Sequence, residues 1–460
     1  MRVFVAGATG IAGRRAVLRL IEAGHQVTGV ARSAEKAAEL ADAGASAARV
    51  SLFDRSDLFS AVAGHDAVVN LATHIPSPAQ MARMSAWKEN ERIRREGSAN
   101  LVDAAIAAGA DVYVQESLAF LYGEHGDEWV DAASTPLIDA RFAGAINEAE
   151  RSAARFTEHG GRGVVLRFGR FYAPESAQTE MVLQGARRGI LMDVGRSNSY
   201  VSMIDADDVA TAVVAALDAP AGTYDVVDDE PLTRAEHSAA LALAMGRRSL
   251  RHAPSWAVPQ SADFVAASQR VSNERFKVVT GWRPRSPSVR SGYPKMARAA
   301  GMEPALAGWV RLLLWLLALT GLAVGVQAAF TPRSFYTDFP FGRGWVAMDG
   351  RYNQHLIRDV GALNLALAVV TLGALWIGTR AVAKLAAAGW LVYSVPHWVY
   401  HLRHLSMPMS GGEKVAVMVS LSLPIAASVA VLCAPRRSLA SARSVPDGKP
   451  ADLTRMSARR

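Results

Sequence analysis

Three sets of residues in this chain have types and spacings that could do chemistry. Gly7, Gly10 and Gly13 recur at every third position, directly after the apolar run Val3-Phe4-Val5 and ahead of a segment that puts Ala16, Val17, Leu20 and Ile21 on one face. Strand, tight turn and helix in that order form a phosphate cradle. Gly7 would let the turn form, Gly10 would keep bulk away from a pyrophosphate, and Gly13 would bring the helix close to the strand, while the helix start offers free N–H groups. Thr9 and Ile11 complete the cradle. The second set is Glu116, Ser117, Tyr122 and Asn147, polar candidates for proton exchange with a substrate. The third is His397, His401 and His404, spaced i, i+4, i+7, which share a face if one helix carries all three. Imidazoles so placed could hold a transition metal or haem. Hydrogen bonding to other helices or lipid headgroups is the other reading of these histidines, and no metal is assigned.

These groups need elements to position them. After the glycine turn, short β-type runs at 26–30, 47–52, 66–71 and 112–115 alternate with helical patterns, among them 89–108 and 140–156. That alternation specifies an α/β fold, a Rossmann-type doubly wound parallel sheet. The second run ends at Arg32, where an acidic residue would bind the ribose hydroxyls of NAD; with Arg14 nearby, Arg32 could meet a 2′-phosphate, which favours NADP over NAD. Asp54 would lie along the adenine edge, and Leu71, Ala72 and Thr73 would pass beside the cofactor. Asp205, Asp207 and Asp208 stand where a strand meets a helix and read as caps, and Thr233 with Glu236 reads as a capping box.

The chain has 460 residues, 50 Lys and Arg against 42 Asp and Glu, and a net charge of +8. No stretch is a dense basic patch, so nucleic acid is not an expected partner. The one cysteine, Cys433, excludes an intrachain disulfide and a thiolate cluster. The N-terminal apolar run is too short for a signal peptide. Three regions are expected: a nucleotide-binding domain over 1–300, whose smaller lobe draws on 175–200 and 222–295; a membrane domain over 301–435; and a disordered tail over 436–460. Four apolar stretches, 309–330, 360–379, 383–402 and 415–433, are long enough to span a bilayer. An all-α bundle of four transmembrane helices follows. With four spans both ends lie on one side, and the basic residues at the first span (Lys295, Arg298, Arg311), between the second and third (Arg380, Lys384) and after the fourth (Arg436, Arg437, Arg443) all fall there, which puts the N-terminal domain and the tail in the cytoplasm and the bundle in the cell membrane.

Val3 to Gly13, Asn70 to Thr73, Tyr113 to Gly123, Val164 to Pro174 and Val201 to Ala212 together resemble the extended, atypical short-chain dehydrogenase/reductase family, the group of NAD-dependent epimerases and dehydratases. The resemblance implies NAD or NADP as cofactor. It also implies hydride transfer on a hydroxyl or carbonyl centre of a sugar-nucleotide or lipid-linked substrate. A tyrosine and a lysine four residues on normally carry the family's chemistry, with a serine or threonine on the fifth strand. The matching positions here are Phe142, Ile146 and Leu118, none of which moves a proton. The alternative is therefore a non-catalytic NAD(P)H-sensing or assembly protein with a degenerate site and a membrane-protein partner.

Overall fold

The computed structural model describes residues 1–77, 80, 83–133, 135, 143–191, 193–252, 266–301, 305–404 and 409–435. The chain divides into two compact units, with the boundary between residues 302 and 303. The expected tail over 436–460 lies outside the described residues, as does Phe142.

The first unit is built on seven parallel strands. These are β1 (Arg2–Ala6), β2 (Gln26–Val30), β3 (Ser46–Ala48), β4 (Ala67–Asn70), β5 (Val112–Leu118), β6 (Arg162–Phe168) and β7 (Gly222–Val226), in the spatial order β7-β6-β5-β4-β1-β2-β3. Every pairing in this sheet is parallel. The strands are apolar because both faces are covered. Val3, Val5, Val69 and Val114 pack with Ala16, Val17 and Leu20 of α1 (Ile11–Glu22) on one face. Phe4, Val68, Tyr113 and Val165 pack on the other with Leu101 and Val102 of α4 (Ser98–Ala107) and Phe156 of α5 (Ala143–Glu158). Between β1 and its neighbour β4 the winding reverses, which opens a crevice at the carboxyl ends of the strands.

Two elements depart from the sequence reading. The third strand stops at Ala48 because Asp54 N donates to Ser51 O, turning the chain into α3 (Arg55–Val62). The helix expected over 89–108 is broken: Lys88–Arg92 leads into a π-helical turn, Ile93–Gly97, before α4 begins. Asp205 caps as expected, its Oδ1 accepting from Asp207 N at 3.0 Å, and Thr233 with Glu236 closes a capping box. Asp207 and Asp208 do not cap: Asp207 pairs with Arg15 and Lys295, and Asp208 accepts from Arg285 N and Ser286 N of a later segment.

Among the described residues the second unit holds four long helices: Gly308–Phe330, Gln354–Ile377, Arg380–Arg403 and Gly411–Cys433. Three of them, not the expected four, are long and apolar enough to cross a membrane. Arg380–Arg403 has the length, at 24 residues. Arg380, Lys384, His397, His401 and Arg403 dilute its apolar content. Glycines set the closest helix contact: a Cβ on Gly361 would lie 2.4 Å from the Ala329 backbone nitrogen, and one on Gly325 would lie 2.9 Å from that of Leu365. Side chains clip the less apolar helix to its neighbours. Asn364 Nδ2 donates to Tyr393 Oη at 3.0 Å, Trp390 Nε1 to Thr371 Oγ1 at 2.9 Å, and Trp398 Nε1 to Ser422 Oγ at 2.9 Å.

Candidate cofactor cleft

The glycine turn has the geometry that its spacing suggests. Gly7 sits at φ +77°, and a Cβ there would lie 2.5 Å from the Leu71 carbonyl oxygen. A Cβ on Gly13 would lie 2.0 Å from Gly7 O. Gly10 is the exposed N-cap of α1, where no side chain accepts from the first turn and no acidic residue stands in it. The N–H groups there are left for an anion, and the macrodipole favours one. Thr9 and Ile11 flank this opening, both partly exposed. The residues present therefore fit a pyrophosphate.

Other cofactor candidates fall around the same edge. Arg32 is exposed at the end of β2. Asp54 is also exposed and caps α3 by accepting from Asp57 N at 3.1 Å. Leu71 is buried, while Ala72 and Thr73 open progressively to solvent. Asn70 fixes this segment: its Oδ1 accepts from Ala72 N at 3.2 Å, and its Nδ2 donates to Gln115 Oε1 at 3.0 Å and Ser98 Oγ at 3.1 Å.

The four polar candidates do not converge. Glu116 is buried in an ion pair with Arg94, whose Nη2 lies 2.9 Å from both carboxylate oxygens. Ser117 is fully buried and donates to Glu150 Oε1 at 2.5 Å. Glu150 is held by Arg167 through two bonds, at 2.9 and 2.7 Å. Arg167 Nη1 donates to Tyr122 Oη at 3.0 Å, and Tyr122 donates to Asp225 Oδ1 at 2.7 Å. Ser117 and Tyr122 are thus links in one buried chain that ties β5, α5, β6 and β7 together. Burial pushes the Tyr122 phenol well above its usual range and the Asp225 carboxyl up to about 7. Asn147 is partly buried on α5. Sequence reasoning missed Arg94, Arg167 and Asp225; their partners lie 22, 17 and 103 residues away, with no local pattern to mark them.

Ile146 is 3% exposed and packs with Leu121, Ala143 and Leu118. Carbon lines this corner, where the family resemblance implies a lysine and a hydroxyl. Of the three histidines, His397 and His401 meet edge to face with ring centroids 4.9 Å apart, but among the described residues no group of three or more His, Cys, Asp or Glu could hold a metal. The helix ends at Arg403, His404 stacks on Tyr400 at 4.2 Å, and His397 stacks on Tyr393 at 5.7 Å.

A doubly wound parallel sheet with an open glycine turn at its first helix defines an NAD(P)-binding Rossmann-type domain. A family profile described as NAD(P)H-binding matches residues 7–220. The 3-diazoavenalumate denitrifying reductase of a Streptomyces species is 31% identical over 315 residues, 64% of this chain and 99% of that protein. The chain belongs to this NAD(P)H-binding family, and its cofactor is NAD or NADP. The photosystem II assembly factor Ycf39 of Synechocystis is 33% identical over 114 residues, 25% of this chain and 32% of that one. Among solved structures, the UDP-glucose 4-epimerase of Thermus thermophilus with NAD has a TM-score of 0.54 at 22% identity, covering 65% of this chain and 100% of its own. A human epimerase family protein with NADPH has a TM-score of 0.56 at 24% identity, covering 65% and 99%. At these identities the likeness is one of fold.

Proposed function

We propose that this chain is a membrane-anchored NAD(P)H-dependent reductase that acts on an electrophile needing no tyrosine–lysine acid. The observation that carries this is the carbon-lined corner of Leu118 and Ile146 beside a complete phosphate turn. The cofactor, when bound, supplies a hydride. The residues Gly7, Thr9, Gly10, Ile11 and Gly13 hold its pyrophosphate, Arg32 prefers the 2′-phosphate of NADP, and Leu71, Ala72 and Thr73 line its path. Epimerisation of a sugar nucleotide requires a base to deprotonate a hydroxyl, and among the described residues Leu118, Leu121, Ala143 and Ile146 offer that corner none. Reduction of a polarised multiple bond makes a smaller demand, and a 31% identical relative named as a reductase of a diazo compound supports it. A substrate held in or near lipid suits the helical unit. The test is NADPH and NADH consumption by the detergent-solubilised full chain with carbonyl, quinone and diazo electrophiles, with Gly10→Val as control. Turnover that Gly10→Val abolishes is the expected result; binding without turnover of any class would sink the reductase reading.

That second result would support the other reading, a non-catalytic NAD(P)H-sensing or assembly protein acting on a membrane partner. The same carbon-lined corner favours it, as does the partial likeness to an assembly factor.

The membrane anchor in this proposal has four spans, with Arg380–Arg403 crossing among its neighbours by means of its side-chain clips. Lys295, Arg298, Arg380 and Lys384 support a cytoplasmic N-terminal unit. Reporters fused after Val346 and Thr379 should lie on opposite sides, and one after Cys433 on the side of Thr379. A reporter after Cys433 opposite to Thr379 would leave three spans.

A further inference from the structure

We propose that Arg94 binds the nicotinamide half of the dinucleotide, its Nε and Nη1 donating to an uncharged oxygen there. This rests on the cofactor reading above. Arg94 stands on the π-helical turn Ile93–Gly97, an irregularity found often at functional sites. It is 2% exposed. Glu116 engages its Nη2, but Nε and Nη1 are buried and meet no acceptor among the described residues. Buried donors without partners are destabilising, so a site that keeps them is built for an acceptor supplied from outside.

Position says which acceptor. Asn90, four residues earlier, accepts from His74 N at 2.9 Å, so this stretch of helix lies against the segment that follows β4. Glu116 and Leu118 are one β repeat apart on β5, about 7 Å, and Leu118 packs against Ile146. Arg94 is therefore at the β4–β5 end of the crevice. The pyrophosphate belongs at the start of α1, after β1, and Arg32 is on the far side, after β2. A dinucleotide laid across that switch point puts its adenosine toward β2 and its nicotinamide half toward β4 and β5. Arg94 and Glu116 together carry no net charge, so a neutral oxygen fits better than a second anion, which would leave the buried site negative. A ribose hydroxyl and the carboxamide oxygen both have this chemistry.

The experiment titrates the detergent-solubilised full chain with ADP, with ADP-ribose (which keeps the second ribose and lacks nicotinamide) and with NADH. Their 2′-phosphorylated counterparts are used if the wild type prefers them. The variants are Arg94→Lys, which retains the charge, and the double variant Arg94→Gln with Glu116→Gln, which leaves no buried charge alone. The double variant should bind NADH about tenfold more weakly and ADP unchanged. A parallel loss for ADP-ribose assigns the bond to the ribose; loss for NADH alone assigns it to the carboxamide. Unchanged affinity for all three ligands overturns the proposal, and so does equal weakening of all three, which would mark a purely structural pair. If the double variant does not fold, Arg94→Lys decides by the same comparison. A wild-type chain that binds none of the three overturns the cofactor reading itself, and the role of Arg94 falls with it.

Discussion

A Cβ at Gly13 would sit 2.0 Å from the carbonyl oxygen of Gly7, while one at Gly10 would meet that oxygen at 3.3 Å. The first contact is with backbone deep in a packed layer and has no room to relax. Gly13→Ala should destabilise the chain by about 3 kcal/mol. Gly10→Ala should leave the melting temperature almost unchanged. Thermal unfolding of the two variants in detergent separates the packing glycine from the ligand-facing one.

Asp225 gives the fold a pH dependence of unusual sign. Burial pushes its carboxyl up to about 7 in the folded chain, against an ordinary value of 3.8 when unfolded. Between those limits the folded state binds more protons than the unfolded one. Stability contributed at this position should therefore fall as pH rises from about 4 to about 7, by about 4 kcal/mol at most, and level off above. Asp225→Asn should flatten that slope. Denaturant midpoints at pH 5 and pH 8 for both chains check it; an unchanged slope in the variant would locate the dependence elsewhere.

Ser117 and Glu150 are bonded, yet their replacements should differ widely. Glu150→Ala strands the Arg167 guanidinium, 9% exposed, and should cost about 3–5 kcal/mol. Ser117→Ala removes one hydrogen bond and should cost about 1 kcal/mol. It should leave NAD(P)H affinity intact. A large loss of turnover in Ser117→Ala at unchanged stability would return Ser117 to the catalytic group.

In the helical unit the test lies in two glycines of one helix. Gly361 has the Ala329 backbone within 2.4 Å of its absent Cβ, whereas nothing lies within 4 Å of the Cβ position of Gly373. Gly361→Val should force two helices apart and lower the folded, monodisperse yield after solubilisation; Gly373→Val should not. Size-exclusion profiles of the two variants report the difference.

Much of this was legible because it is local. The glycine turn, the strands around it and the caps at Asp205 and Thr233 each follow from residues within one or two turns of one another. The boundary between the two units shows as a change in hydropathy. Arg380–Arg403 shows the limit: its length is readable, but whether its histidines and arginines face lipid or neighbours is not a property of the segment alone. The buried pairs, Arg94 with Glu116 and Arg167 with Glu150, were illegible for the same reason. Glu116 reads as a candidate for proton exchange and Arg94 and Arg167 as ordinary surface charges, and only the packing of separate elements buries them in pairs. The i, i+4 spacing does pair His397 with His401, but His404 falls just past the last helical residue, Arg403, so the shared face that a continuing helix would give stops there.

The contact between Gly7 and Leu71 has a consequence for inheritance. The phosphate turn and the segment after β4 touch backbone to backbone, so neither has a side chain through which to adjust to the other. A chimera taking residues 1–13 from one relative and residues 67–73 from another would have to match two main-chain paths at once. These two distant stretches should be exchanged together or not at all, and recombination breakpoints that preserve a working cradle should fall outside the interval they enclose.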